Sequence, residues 1–247
     1  MTSHELLYIF MGAAAAGFIN GMAAFGTALF ALGFFLTVMS PVQAVAVTVS
    51  IAAVNGVQGI WVVRREMMAN LPRLARFLVP GLIGIPIGLS VLGMINAEML
   101  KLVIAGFLIL YGGYFSLRRK LPDIAQRTPV IDILVGFAGG VLGGAVALSG
   151  VLPTMWCSLR NWPKAEVRAV LQPYNLAVLG FAMILLIGKG AYDRETLLFV
   201  AVAMPVAIVF ARIGIAAFRR IPNALFHRLL IGLCLVSGTL LMIREVL

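Results

Sequence analysis

The sequence is short of charge, cysteine and histidine. Only 11% of its 247 residues are charged, against about 25% in soluble domains. That shortage excludes a soluble globular domain and a disordered chain. The two cysteines, Cys157 and Cys234, stand far apart in apolar stretches, so neither a disulfide framework nor a metal-ligand spacing is present. The two histidines, His4 and His227, are terminal or loop-side and make poor buried proton shuttles. The nine acids are Glu5, Glu66, Glu98, Asp123, Asp132, Glu166, Asp193, Glu195 and Glu245, and none falls in the middle of an apolar segment. This argues against a carboxylate proton relay or a cation site built from acids. With no His-Glu-x-x-His and no Gly-x-Ser-x-Gly, hydrolytic or metal chemistry has no material, and neither an enzyme nor a cofactor or metal is expected.

What the chain has in quantity is apolar surface. It is 62% hydrophobic, with a mean hydropathy of +1.06. A bilayer is the natural solvent for such a chain. The formal charge of +10 would suggest nucleic acid in a soluble protein. In a membrane protein, basic residues gather in cytoplasmic loops beside anionic headgroups instead, so no nucleic-acid partner is expected. The start, Met1-Thr2-Ser3-His4-Glu5, lacks a basic n-region, which argues against a cleaved signal peptide.

Eight apolar segments follow: 5–39, 42–63, 74–95, 99–117, 133–159, 167–188, 196–217 and 224–243. A spanning helix needs about 20 apolar residues. Six segments are close to that. The first and fifth are too long and are rich in glycine. The first holds Gly17, Gly21 and Gly26 around Asn20-Gly21-Met22-Ala23-Ala24-Phe25-Gly26. The fifth holds Gly136, Gly139, Gly140, Gly143, Gly144 and Gly150 before Pro153. Glycine at this density weakens a helix and lets the chain turn. Gly17-Phe18 matches Gly136-Phe137, Pro41 matches Pro163, Pro80 matches Pro205, and Ile95, Gly106 and Gly112 match Ile221, Gly232 and Gly238, all in the same order. The reading is one transmembrane domain over 1–247 with two repeats, 5–120 and 130–247, joined by the polar stretch Arg118–Asp132.

If every segment crosses, the basic residues divide poorly between the two sides. If each glycine-rich segment enters and returns, 14 fall on one side and four (Lys101, Lys189, Arg194 and Arg244) on the other. The second arrangement satisfies the positive-inside rule. Re-entrant hairpins and pairs of short full spans give the same count and stay open. The expected fold is therefore an all-α integral membrane protein. It has two inverted repeats, each a glycine-rich broken or hairpin helix followed by three transmembrane helices. Both termini fall on the outer side. Inverted repeats with broken helices at matching positions are a design of secondary transporters, whose helix N-termini point at a small anion near the midplane.

Neutral polar residues supply the candidate lining. Asn and Gln are costly to bury, so Asn20, Asn55, Gln58, Gln172 and Asn175 lead, with Gly21, Ser50, Ser149 and Tyr174 beside them. Asn55 and Gln58 share a helix face, and Gln172 and Asn175 repeat the spacing in reverse order. Arg168 and Arg212 lie inside segments. Both could snorkel to the cytoplasmic face or form a vestibule that gathers anions. Trp61, Trp156 and Trp162 read as interface anchors.

The glycine-rich opening of each half, the proline after it, and the closing Ile95-Asn96-x-Glu98-x-Leu100-Lys101 helix resemble the TauE/SafE family of transmembrane sulfite exporters. The most specific stretch is Leu159-Arg160-Asn161-Trp162-Pro163-Lys164-Ala165-Glu166-Val167-Arg168-Ala169-Val170-Leu171-Gln172-Pro173-Tyr174-Asn175, similar to a Trp-Pro-Lys…Arg-Ala…Gln-Pro-Phe-Asn pattern of that family. The resemblance implies export or exchange of a small sulfur-containing anion, such as sulfite or an organosulfonate, across the bacterial inner membrane. It draws attention to Gly139, Gly140, Gly143, Gly144, Arg168, Gln172 and Asn175. In the first half the motif has fewer glycines, and Ser50 stands roughly where a Thr-Ser pair is common. An anion-selective channel on the same scaffold is the alternative. The expected partners are a small anion and lipid, and a homodimer stays open.

Overall fold

A computed structural model describes residues 3–91, 97–117, 124, 128–146, 148–160 and 162–246. Most of the linker, including Arg118, Arg119, Lys120, Asp123 and Arg127, lies outside the described residues, as do Ile95 and Asn96. The described residues form ten helices and no strand. In order they are α1 Ser3–Ala23, α2 Thr27–Phe35, α3 Pro41–Ala69, α4 Leu71–Val91, α5 Ala97–Leu117, α6 Pro129–Val146, α7 Val151–Ser158, α8 Lys164–Gly188, α9 Arg194–Arg220 and α10 Asn223–Val246. Among the described residues, six helices are long and apolar enough to cross a membrane. Each overlong glycine-rich segment is broken into a long helix and a short one, α1 with α2 and α6 with α7. The pieces are unequal, where the sequence suggested two short helices. At about 1.5 Å per residue, neither the nine residues of α2 nor the eight of α7 can span a bilayer.

Glycine contacts fix how the helices lie. Gly17 and Gly21 of α1 press on the backbone of Ala207 and Ala211 in α9. Both numbers rise together, so α1 and α9 run parallel. Phe35, the last residue of α2, packs over Gly12 of α1, so α2 turns back along α1. Gln43 at the start of α3 then donates to Glu195 at the start of α9, at 2.9 Å. The hairpin α1–α2 thus opens at the end of the bundle where α9 begins.

The second hairpin is built the same way. Gly136, Gly140 and Gly144 of α6 press on Phe77, Gly81 and Ile85 of α4, again in parallel. Trp156 of α7 donates from Nε1 to Asp132 in the first turn of α6, at 2.8 Å, so α7 returns beside α6. Lys164, the first residue of α8, donates from Nζ to the carbonyls of Phe218, Arg219 and Ile221 at the end of α9. The hairpin α6–α7 therefore opens at the end where α9 finishes. α3 packs on α8, and α5 on α10.

The end of the bundle where α9 finishes is the basic one. Arg64, Arg65, Arg73, Arg76, Arg160, Lys164, Arg219, Arg220 and Arg228 belong to helix ends there, and Lys189 and Arg194 to the other end. At the basic end Arg73 pairs with Glu166 at 2.7 Å and stacks on Trp162 at 4.1 Å. Arg160 pairs with the buried Asp132 at 3.3 Å. Between the two ends, Leu6, Phe10, Val57, Val79, Ile83, Leu110, Ile184, Val209 and Ile213 are exposed, as suits a surface facing acyl chains. α3 leaves helical geometry at Val63, where the second apolar segment ends and the basic residues begin.

Candidate functional site

The two helix breaks meet inside the bundle. The first is Ala24-Phe25-Gly26, between α1 and α2. Ala24 and Gly26 both hold left-handed backbone, at φ 65° and 84°. That conformation is free for glycine and costs about 1–2 kcal/mol for alanine. The second break is 147–150, between α6 and α7, with Leu148, Ser149 and Gly150 described. A cavity of about 20 Å³ lies between them, lined by Asn20, Thr27, Ser149, Gly150 and Asn175 among others. That is room for about one water centre.

Asn175 of α8 joins the two breaks. Its Nδ2 donates to the carbonyl of Ala24 at 2.8 Å. Its Oδ1 accepts from Ser149 Oγ at 2.9 Å. Across the cavity Asn20 donates from Nδ2 to Thr27 Oγ1 at 2.9 Å. Gln172, one turn before Asn175, donates from Nε2 to Asn20 Oδ1 at 3.5 Å. Its own Oε1 accepts from Arg168 Nη2 at 3.2 Å. A chain of polar groups therefore runs from Arg168 through Gln172 and Asn20 to Thr27 at the cavity wall.

The short helices start on the cavity without side-chain caps. α2 begins after Gly26 and α7 after Gly150, and neither glycine has a side chain to bond the first amides. α8, after Pro163, also starts without a side-chain cap, whereas α3 and α9 are capped. Ser40 and Gln43 form a full capping box on α3, and Asp193 caps α9 through Thr196 N–H at 2.7 Å. The first amides of a helix need an acceptor and carry a partial positive charge. At α2 and α7 this end faces the cavity, which suits an anion or water.

Among the other expected residues, Gly139 and Gly143 back the Ser149 turn, where an added Cβ would meet Ser149. Gly140 and Gly144 lie about 100° further round α6 and are helix contacts with α4. Gly21 is the equivalent contact of α1 with α9. Tyr174 is buried and donates to the carbonyl of Gly136 at 2.8 Å, bracing α8 against α6. Ser50 lies apart, sharing a hydrogen bond with Tyr192 at 2.8 Å. Asn55 donates to the carbonyl of Ala207 at 3.4 Å, and Gln58 lines a separate groove between α3 and α9. Asn20, Ser149 and Asn175 thus share the cavity. Gln172 and Arg168 adjoin it, and Ser50, Asn55 and Gln58 stand outside it.

Arg168 does not snorkel. It is fully buried, with Nη1 on the carbonyl of Gly21 and its guanidinium 4.5 Å above the ring of Phe218. Trp156 and Trp162 hold Asp132 and Arg73, while Trp61 is exposed beneath Arg64. His227 is buried rather than loop-side, with Nε2 2.9 Å from the carbonyl of Trp162. The sequence reading missed Gly26 and Gly150 as lining, and Lys164 as the cap of α9. Glycine before a short helix is a local signal for the first two. The role of Lys164 depends on tertiary contact.

The family model for the sulfite exporter TauE/SafE matches residues 9–241 of the chain. No curated protein and no solved structure matches it.

Proposed function

Because this chain belongs to the sulfite exporter TauE/SafE family, a family of membrane transporters, we propose that it carries a small sulfur-containing anion, sulfite or an organosulfonate, across the bacterial inner membrane. The anion sits between the two helix breaks. The first amides of α2 and α7 hold its oxygens, with Asn20, Thr27, Ser149, Gln172 and Asn175 around it. The observation that carries this reading is the pair of uncapped helix starts on one polar cavity. Backbone amides bind an oxyanion without placing a charged side chain at the centre.

The cavity is too small for such an anion as it stands, so this arrangement is the closed state of the cycle. Asn175 bonds both breaks at once, and substrate entry requires at least one of these bonds to yield. Alternating access comes from movement of one half against the other, with residues 5–120 and 130–247 as inverted repeats. Hairpins that open at opposite ends of α9 support that reading. The basic end is cytoplasmic, which leaves the first helix starting on the periplasmic side.

The test is uptake by the purified protein in sealed vesicles. Sulfite or an anionic sulfonate such as sulfoacetate should move, and a carboxylate of equal charge should not. Equal flux of all anions, rising linearly with concentration, would favour a channel and contradict the carrier.

A further inference from the structure

Arg168 is a buried charge with no acid beside it among the described residues. It is fully buried, and its Nε–H has no partner. Its Nη1 and Nη2 donate to two neutral acceptors, the Gly21 carbonyl and the Gln172 amide oxygen. The one acid on the same turn of α8, Glu166, is taken by Arg73. Leaving a guanidinium without a counter-charge costs several kcal/mol. A charge-assisted bond to an anion is about twice as strong as one to a neutral acceptor. The site therefore holds its cation with acceptors that an oxyanion outcompetes.

A way in lies beside it. The groove between α3 and α9, about 410 Å³, is lined by Gln58, Trp61, Arg212 and Arg219 with apolar neighbours. Arg212 and Arg219 are two turns apart on one face of α9, about 10 Å along the axis. Both are exposed, and neither has a carboxylate partner among the described residues. The wall behind the groove is thin. Phe218, next to Arg219, carries Arg168 on its ring. Gly59, next to Gln58, lies directly against the Gln172 amide, where even a Cβ would overlap it at 2.2 Å.

We propose that the α3–α9 groove is the loading vestibule for the transported oxyanion and that Arg168 is its charge-exchange gate. Arg212 and Arg219 draw the anion in from the basic end. The anion then takes the Arg168 guanidinium from the carbonyl of Gly21, using the unpaired Nε–H as well. Gly21 lies in the last turn of α1, three residues before the break. Releasing it frees that turn, and with it the Asn20–Thr27 wall of the cavity. This gate rests on the transport reading above and gives it a direction of entry.

The experiment measures initial rates of sulfite flux, loaded from the basic side, in vesicles of neutral phosphatidylcholine. Wild type is compared with Arg212→Gln, Arg219→Gln and the double variant at roughly 10 mM and 200 mM salt. Exposed charges act over about 30 Å at the lower salt and less than 10 Å at the higher. The expected result is a KM raised about tenfold in the double variant at low salt, a maximal rate within twofold of wild type, and a smaller difference at high salt. A KM within twofold of wild type at both salts overturns the vestibule. A KM effect that appears only when anionic phosphatidylglycerol is added marks the groove as a lipid-headgroup site and also overturns it.

Arg168→Lys keeps the charge but cannot hold Gly21 and Gln172 together. Its maximal rate per folded protein should fall tenfold or more, and an unchanged rate overturns the gate. If Arg168→Lys does not fold, Gln172→Glu takes its place: a carboxylate at the Arg168 Nη2 contact gives the guanidinium a counter-charge, so the maximal rate should again fall tenfold or more, and an unchanged rate overturns the gate. Wild type without flux of any sulfur oxyanion removes the transport reading and the gate with it. Normal wild-type flux with unaffected groove variants removes the vestibule and leaves the transport reading standing.

Discussion

Asn175 donates to the carbonyl of Ala24 while accepting from Ser149. One side chain of α8 thereby closes both helix breaks over the cavity. Asn175→Ala leaves two buried groups unpaired, each worth about 1–3 kcal/mol. It should lower the melting temperature and abolish substrate-induced stabilisation, measured by thermal shift with sulfite. Asn175→Asp keeps the acceptor for Ser149 but turns an acceptor toward the Ala24 carbonyl and places a negative charge on the anion site. It should bind no anion even where the fold survives. Wild-type binding in both variants would remove Asn175 from the site.

The left-handed backbone at Ala24 stores strain beside the cavity. Glycine relieves it, at some cost in unfolded-state entropy. Ala24→Gly should stabilise the protein by roughly 0.5–1 kcal/mol, read as a higher melting temperature. A lower melting temperature would mean that the methyl group contributes more by packing than the strain costs.

The glycines of α6 separate into two classes that substitution will distinguish. A Cβ at Gly140 would stand 2.0 Å from the carbonyl oxygen of Gly81, so α4 and α6 must move apart. Gly140→Ala should cost about 1–3 kcal/mol and reduce folded yield. Gly180, where nothing lies within 4 Å, is the control. Alanine there should be neutral or stabilising by up to about 1 kcal/mol. Equal effects at both positions would contradict the packing described.

The cap of α9 gives a pH dependence with a definite sign. The hydrogen bond from the Thr196 backbone N–H holds the Asp193 carboxyl below its ordinary value of 3.8. A carboxyl depressed on folding adds stability that is complete above its unfolded value and fades as pH falls through the lower folded value. The melting temperature of wild type should therefore exceed that of Asp193→Ala at neutral pH, and the gap should narrow as pH falls below about 4. A gap that widens in acid would contradict the assignment.

Much of the fold was legible because the bilayer imposes a length rule. Segments 5–39 and 133–159 exceed one crossing, and their glycines marked where the chain breaks. The inequality of the pieces was not legible, since the turn points at Ala24–Gly26 and Ser149–Gly150 are set by contacts with Asn175. The grouping of Gly139, Gly140, Gly143 and Gly144 treated as one feature what helical geometry divides. Neighbours on a helix lie about 100° apart, so Gly140 and Gly144 face α4 while Gly139 and Gly143 face Ser149. Asn and Gln stood out by their cost of burial, and that rule picked out Asn20, Gln172 and Asn175, which lie on or beside the cavity. It also raised Asn55 and Gln58, because composition does not say which buried amide faces a cavity and which holds a neighbouring helix. Arg168 read as a snorkelling residue for the same reason. Its acceptor, the carbonyl of Gly21, is 147 residues away in the chain.

Two uncapped helix starts and Asn175 are the proposed site for a sulfur oxyanion. The most direct measurement is sulfite counterflow in vesicles holding wild type or Asn175→Asp. Vesicles preloaded with unlabelled sulfite should accumulate labelled sulfite transiently with wild type and not with Asn175→Asp, and preloaded formate should not drive it. Counterflow that persists unchanged in Asn175→Asp, or that formate drives equally well, would contradict the account.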